Sequence, residues 1–149
     1  MVYPVNNIKF RIGTAGRGST EAEMAVVRDM ETFSISFDNG VEQWNPIDQE
    51  GWVRRLMTSK SVTVSLSGKR NYGDAGNNYV AGLAYENGNG AVTVLETVFP
   101  DGSKLVMDCI VNVTASDGGA ATDVAALEFD CMSDGKPSYV KDALTDLQA

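Results

Sequence analysis

The sequence lacks histidine altogether and is poor in basic residues. Histidine is the usual general base near neutral pH, so its absence excludes Ser-His-Asp and Cys-His catalysis. The 149-residue chain has 12 Lys and Arg against 20 Asp and Glu. Residues 76–149 hold 3 basic and 11 acidic residues and therefore carry the whole net charge of -8. A protein that grips nucleic acid with a basic face is not expected.

Cysteines and long apolar runs are also scarce. Cys109 and Cys131 are the two cysteines, too few without histidine to complete a structural zinc site. We expect them to be reduced, half-buried thiols. No segment approaches the roughly 18 to 20 apolar residues that span a bilayer, and the N-terminus lacks a signal-peptide pattern. We therefore expect a protein that is made in the cytoplasm, is not exported and does not associate with a membrane.

No motif for catalysis or cofactor binding is present. The glycines of GTAGRGST, residues 13–20, do not have the spacing of a phosphate loop. The cluster NYGDAGNN, residues 71–78, lacks calcium-loop spacing and predicts turns and a helix cap. A carboxylate-dependent hydrolase stays open as an alternative, although no pair of acids can be singled out. We predict a protein that is not an enzyme, with no catalytic residues, metal or cofactor.

β-Branched residues dominate the composition, with 32 Val, Ile and Thr against 8 Leu. Such side chains favour pleated strands. Apolar and polar residues alternate, as strands require, in five segments, namely residues 8–12, 32–37, 61–67, 105–113 and 125–131. Both cysteines fall on apolar faces of this pattern. Residues 91–99 lack strict alternation and are expected to be covered on both faces.

One segment has a helical pattern instead. Asp74 can cap a helix in which Tyr79, Val80 and Leu83 recur at spacings of three and four. The sequence therefore predicts a mainly β fold, a β-sandwich or bent barrel, with one flanking α-helix at about residues 75–86. At this length we expect a single domain covering residues 1–149.

The segment VEQWNPIDQEGWVRRLMTSK separates two predicted strands by about 20 residues, more than an ordinary hairpin loop. We predict a long loop at about residues 38–60. Either it folds back onto its own sheet, or it is an arm that binds a partner. We favour the arm, because Trp and Arg are enriched at interface hot spots. The predicted interface residues are Trp44, Asn45, Pro46, Trp52, Arg54 and Arg55.

A resemblance covers roughly residues 31–137. It rests on Gly51-Trp52 with Arg54, Arg55, Leu56 and Thr58, then Ser67-Gly68-Lys69-Arg70, Gly73-Asp74, Phe99-Pro100-Asp101-Gly102 and Gly135-Lys136-Pro137. In this order and at these spacings, the segments resemble the tail tube protein (major tail protein) of long-tailed bacteriophages.

The resemblance implies a structural virion protein in which six subunits form a ring, inner sheets join into a barrel, and rings stack into a hollow tube. A long loop would reach toward the adjacent ring. Double-stranded DNA would pass through the lumen during ejection into the host, without specific binding. Implied partners are the tape measure, tail terminator and distal tail or baseplate proteins. The location would be the virion tail, assembled in the host cytoplasm.

A lumen for DNA leads to a hypothesis about four acids. DNA carries about one charge per 1.7 Å, so a basic wall would hold it and an acidic wall would let it slide. We predict that Glu96, Asp108, Glu128 and Asp130 occupy polar strand positions that face the lumen. The alternative for these acids is a solvated outer sheet face. The alternative for the whole protein is a monomeric carbohydrate- or ligand-binding β-sandwich module.

Overall fold

The computed structural model describes residues 2–141. The predicted domain of residues 1–149 extends past them, and residues 1 and 142–149 lie outside the described part. The elements in chain order are β1 Lys9–Gly13, β2 Met24–Val26, β3 Met30–Trp44, β4 Arg54–Lys69, α1 Ala75–Gly82, β5 Val92–Val98, β6 Lys104–Ser116, β7 Ala126–Ser133 and β8 Ser138–Val140. Single 3-10 turns, such as Leu83–Tyr85, occupy several of the connections.

Within residues 2–141, the strands form one antiparallel sheet of eight strands in the order β2-β1-β5-β6-β7-β4-β3, with β8 paired to β6. The sheet curls on itself. Phe10 of β1 and Phe33 of β3 lie five places apart in the strand order, yet their ring centroids are 4.8 Å apart in an edge-to-face contact. The predicted mainly β fold with one helix is confirmed, and the single continuous sheet has the form of a bent barrel.

Strand pairing assigns each residue to one face of the sheet. Leu66 lies opposite Phe129, and Val64 lies opposite Cys131, which in turn pairs with Val111. All five side chains are almost completely buried in the core on the inner side of the curl. The residues between them, Ser65, Asp130 and Asn112, face the other way, together with the partly exposed Ile110 and Met132.

Helix α1 covers the inner side of the curl. The side chain of Asp74 accepts a hydrogen bond from the Asn77 backbone N–H at 3.0 Å, as expected for a cap. Val80 and Leu83 then enter the core. At Gly76 a Cβ would lie 2.4 Å from the carbonyl oxygen of Val26, so only glycine allows the helix this close to β2. The predicted helix is confirmed, with its last turn in 3-10 form.

Asn77 connects the helix to the sheet. Its side chain is fully buried and makes four hydrogen bonds. The amide nitrogen donates to the carbonyl oxygens of Arg28, at 3.2 Å, and Lys69, at 2.9 Å. The amide oxygen accepts from the Arg70 guanidinium and from the Asn71 backbone N–H, each at 2.9 Å. One side chain thus satisfies the backbone where β4 leaves the sheet and the helix begins.

The prediction of a long loop at residues 38–60 is wrong for most of that segment. Strand β3 continues to Trp44 and β4 begins at Arg54, so only residues 45–53 connect them. The sequence pattern did not predict these parts of β3 and β4, because apolar and polar residues alternate only where one face of a strand is buried in the core. Residues 41–44 and 54–57 have no such face, since they lie beyond the sheet and are exposed.

A β-bulge marks the point where this hairpin leaves the sheet. Gly40 pairs with Ser59 but Val41 pairs with Met57, so Thr58 is the additional residue. A Cβ at Gly40 would lie 2.1 Å from the Ser59 hydroxyl oxygen, so glycine permits the close pairing. Bulges bend a ribbon and increase its twist. The bulge therefore sets the direction of the projecting segment.

The role of Asn77 can be tested against its neighbour Asn78, whose side chain is exposed. We expect Asn77→Ala to lower the free energy of unfolding by about 3 kcal/mol, because several buried backbone groups lose their partner, and Asn78→Ala to cost about 1 kcal/mol. Urea unfolding followed by far-UV circular dichroism measures both. Equal losses in the two variants would contradict the proposed connection between helix and sheet.

Candidate functional site

The β3–β4 hairpin projects from the sheet as an arm, which we define as residues 38–61. Strand β4 pairs with β7 only from Thr63 to Lys69, whereas its pairing with β3 extends to the end at Arg54. Beyond Asp38 the two strands therefore have only each other as described neighbours. Seven residues of β3 at about 3.3 Å each give a ribbon about 20 Å long. The connection between the two strands at the far end of the arm, residues 45–53, is called the tip.

The arm exposes apolar side chains that the rest of the described range, residues 2–141, leaves uncovered. Ile47 is fully exposed, Trp52 is 76% exposed and Leu56 is 61% exposed. Val41 and Met57 lie opposite each other on one face of the ribbon, and both are about half exposed. An isolated two-stranded hairpin is marginally stable in water, and a cluster of exposed apolar residues marks an interaction site. The arm has the properties of a segment that is completed by a partner.

The structure brings all six predicted interface residues together at the outer end of the arm. Trp44 and Arg54 are the last residue pair of β3 and β4, and the guanidinium carbon of Arg54 lies 5.9 Å from the indole centroid of Trp44. Arg55 lies on the next rung, opposite Gln43. The other three predicted residues, Asn45, Pro46 and Trp52, lie in the tip. The exposed apolar residues on the ribbon, Val41, Leu56 and Met57, were not among those predicted.

Three of the four predicted lumen acids share the polar face of the sheet, which is the face opposite the core. Asp130 lies between Asn112 of β6 and Ser65 of β4. Glu128 lies opposite Ser67, whose hydroxyl donates to it at 3.2 Å. Asp108 is exposed on the same face of β6. Among residues 2–141, no Lys or Arg forms an ion pair with any of the three acids, so their negative charge is not compensated locally.

The fourth acid, Glu96, has a different environment. Its side chain is only 8% exposed, and a carboxylate oxygen lies 3.7 Å from Arg11 and 3.8 Å from Lys104. Arg11 also forms an ion pair with Glu21 at 2.6 Å. In the isolated chain Glu96 is therefore a covered acid between two cations and adds no exposed negative charge to the polar face. No local pattern predicts this environment, because only the register between β1 and β5 brings Arg11 opposite Glu96.

Hydroxyl side chains extend the polar face from the acids to the edge of the sheet. Ser65 and Ser67 of β4 lie opposite Ser34 and Thr32 of β3, and Thr63 lies opposite Ser36. These residues were visible in the sequence as the polar half of two alternating strands. Because either face of a sheet can meet solvent, the alternation alone did not assign them a role. The face as a whole is neutral to acidic over β3, β4, β7 and the second half of β6.

The two cysteines are free thiols, as predicted, but both are completely buried rather than half-buried. A hydrogen bond with Cys109, together with burial, raises the pKa of the Cys131 thiol well above its ordinary value. Cys131 therefore stays protonated near neutral pH, which makes it a poor nucleophile.

Residues 2–141 contain no cluster of three acidic or cysteine side chains placed to hold a metal ion. No helix in that part of the chain has the length and apolar character needed to cross a membrane.

Solved structures similar to this chain come from gene transfer agent particles and from a contractile injection system. A chain in the tail of an empty gene transfer agent particle, refined helically in C6 symmetry, superposes with a TM-score of 0.73 at 19% identity, covering 93% of this chain and 99% of that one. A chain in the virion of a native gene transfer agent particle gives 0.70 at 14% identity, with the same coverage. A chain of an extracellular contractile injection system, in its extended sheath-tube complex, gives 0.58 at 15% identity, covering 95% of this chain and 93% of that one.

No family model matches the sequence, and no curated protein matches it significantly. The similarity is therefore one of structure, over nearly the whole length of each chain. At these identities it establishes the fold: the chain has the fold of a phage tail tube protein.

Proposed function

We propose that this protein is the tube subunit of a phage-like tail. Six copies form a ring, rings stack into a hollow tube, and double-stranded DNA passes through the lumen during ejection. The observation that carries the proposal is the projecting arm, whose exposed apolar residues have no partner in the described chain, on a fold similar to chains of assembled tails. The tape measure, tail terminator and distal tail proteins remain predicted partners of such a tube.

The sheet also has edges through which subunits can join side by side. Strand β2 forms one edge of the strand order and β3 forms the other. Free edges present unpaired backbone groups that tend to pair with another chain. If the edge of one subunit meets that of the next, six sheets close into one barrel and no edge remains. Such contacts join different surfaces of each subunit, as ring closure requires.

The polar face suits the wall of a conduit for DNA. It carries Asp108, Glu128 and Asp130 without cationic partners, together with a row of hydroxyl groups. Phosphates are repelled by the acids and meet hydroxyls that offer no net positive charge. We therefore propose that this face lines the lumen and that α1, on the opposite side of the sheet, faces outward. Glu96 belongs to the same face by register but lies between the cationic side chains of Arg11 and Lys104.

Removing the arm tests its role in assembly. Asn39 and Lys60 are direct partners, so replacing residues 40–59 by Asn-Gly closes the hairpin with a two-residue turn. We expect a folded protein that no longer forms tubes at concentrations where the unmodified chain does. Negative-stain microscopy and sedimentation velocity measure assembly, and circular dichroism verifies the fold.

A matched pair of point variants separates the arm from exposed aromatic residues in general. Trp52 in the tip is 76% exposed and Tyr85 after the helix is 89% exposed. We expect Trp52→Ala to raise the protein concentration needed for tubes by about tenfold, as loss of an interface anchor does, and Tyr85→Ala to change it little. If the protein in which Asn-Gly replaces residues 40–59 still forms long tubes, that result would contradict the role of the arm in assembly.

Cysteine labelling tests which face lines the lumen, with little background because both native thiols are buried. We expect Asp108→Cys in assembled tubes to react with a small maleimide but not with a maleimide on a protein carrier too large to enter the tube. Both reagents should label the unassembled variant.

Tyr85→Cys, on the helix side of the sheet, is the control. We expect the large reagent to label it in tubes and in unassembled protein alike. The reverse pattern, with Asp108→Cys labelled and Tyr85→Cys protected in tubes, would place the acids on the outer wall and contradict the lumen assignment.

A further inference from the structure

A groove of about 530 Å³ lies at the base of the arm, and the arm residues Lys60 and Ser61 form part of its lining. Phe37 of β3, Val62 of β4 and Pro137 are its apolar lining residues. Phe37 is 63% exposed although it follows the same alternation as buried core residues. The volume lies within the range of roughly 300 to 1,000 Å³ that is typical of binding clefts.

The groove is basic. Lys60 and Lys136 line it, and none of the residues between 2 and 141 that line it is acidic. The nearby carboxylate of Asp134 is already paired with Arg17. The side chain of Lys60 donates a hydrogen bond to the Asn39 side chain at 3.4 Å, and Lys60 forms no ion pair with another residue in the described range 2–141. In a chain with a net charge of -8, two lysines beside exposed apolar surface form a distinct local site.

The tip of the arm has the complementary chemistry. Within residues 45–53 the two charged residues are Asp48 and Glu50, and both are exposed; the exposed Arg54 and Arg55 follow at the start of β4. The two acids lie between two exposed apolar residues, Ile47 and Trp52, in a turn where Glu50 and Gly51 have positive φ of 53° and 87°. Two acids beside two apolar side chains match two lysines beside an apolar groove in both charge and polarity.

We propose that this groove receives the arm tip of a second copy of the chain. The inference rests on the proposed tube function and names the surface on the neighbouring subunit that the arm binds. A chain cannot fill its own groove, because the paired strands hold the tip about 20 Å away along the ribbon. Tip and groove are different surfaces of one molecule, so each copy can both donate and receive, and the contact repeats along the tube.

Disulfide trapping tests the contact directly. Gln49→Cys places a thiol in the tip, and Lys136→Cys places one beside the groove, while Asp48, Glu50 and Lys60 stay intact. Oxidation of tubes formed by the double variant is expected to give a ladder of covalent oligomers on a non-reducing gel. The control, Gln49→Cys with Lys141→Cys, loses the same charge at an exposed lysine that does not line the groove and should give no ladder.

Charge reversal provides an independent measurement. We expect Lys60→Glu with Lys136→Glu to raise the concentration needed for tubes by about tenfold, and Asp48→Lys with Glu50→Lys to do the same, because attraction becomes repulsion. Combining all four reversals should restore assembly close to that of the unmodified chain.

The outcomes separate this inference from the proposed function. Tubes of the Gln49→Cys, Lys136→Cys variant that give no ladder, or a fourfold reversal that assembles worse than either pair, would contradict the groove assignment alone. Failure of the unmodified chain to form tubes would contradict the tube function itself. A ladder together with rescue supports both.

Discussion

The register of β6, β7 and β4 is the constraint on which the rest of the structure depends. With Val111 opposite Cys131 and Val64 on its other side, the apolar residues of three strands point into the curl, and Asn112, Asp130 and Ser65 point away from it. A slip of one residue would exchange these two sets. The same pairing therefore creates both the core that stabilises the chain and the acidic face proposed to line a lumen.

The arm follows from the same strands once they run past their neighbours. Apolar and polar residues alternate in β3 and β4 where these strands pack on the core. The alternation ends beyond Thr63, the outermost residue of β4 that pairs with β7, because from there β3 and β4 pair only with each other. A ribbon of this kind gains little stability alone. Assembly would bury the exposed apolar residues of the arm. The stability of the arm would then depend on the oligomeric state of the protein. In this account the tip and the basic groove are the two ends of one repeated contact.

Much of the fold was predictable because it depends on local pattern. The strands around Phe33, Val64, Met107 and Phe129, and the helix capped by Asp74, all bury one face and leave the signature of that burial in the sequence. The arm strands lack such a face, so the sequence suggested a loop. The pairing of Arg11 with Glu96 and the groove between Phe37 and Lys136 depend on strand order and register, which join residues far apart in the chain. Local patterns carry no information about such contacts.

The most direct test of the central claim is a cryo-electron microscopy reconstruction of the filaments formed by the unmodified protein. We expect a hollow tube of stacked six-fold rings in which Asp108, Glu128 and Asp130 lie on the inner wall and α1 lies outside. Each arm is expected to contact a subunit of the next ring. A protein that stays monomeric at high concentration, or a filament whose inner wall is formed by the helix side of the sheet, would contradict the central claim.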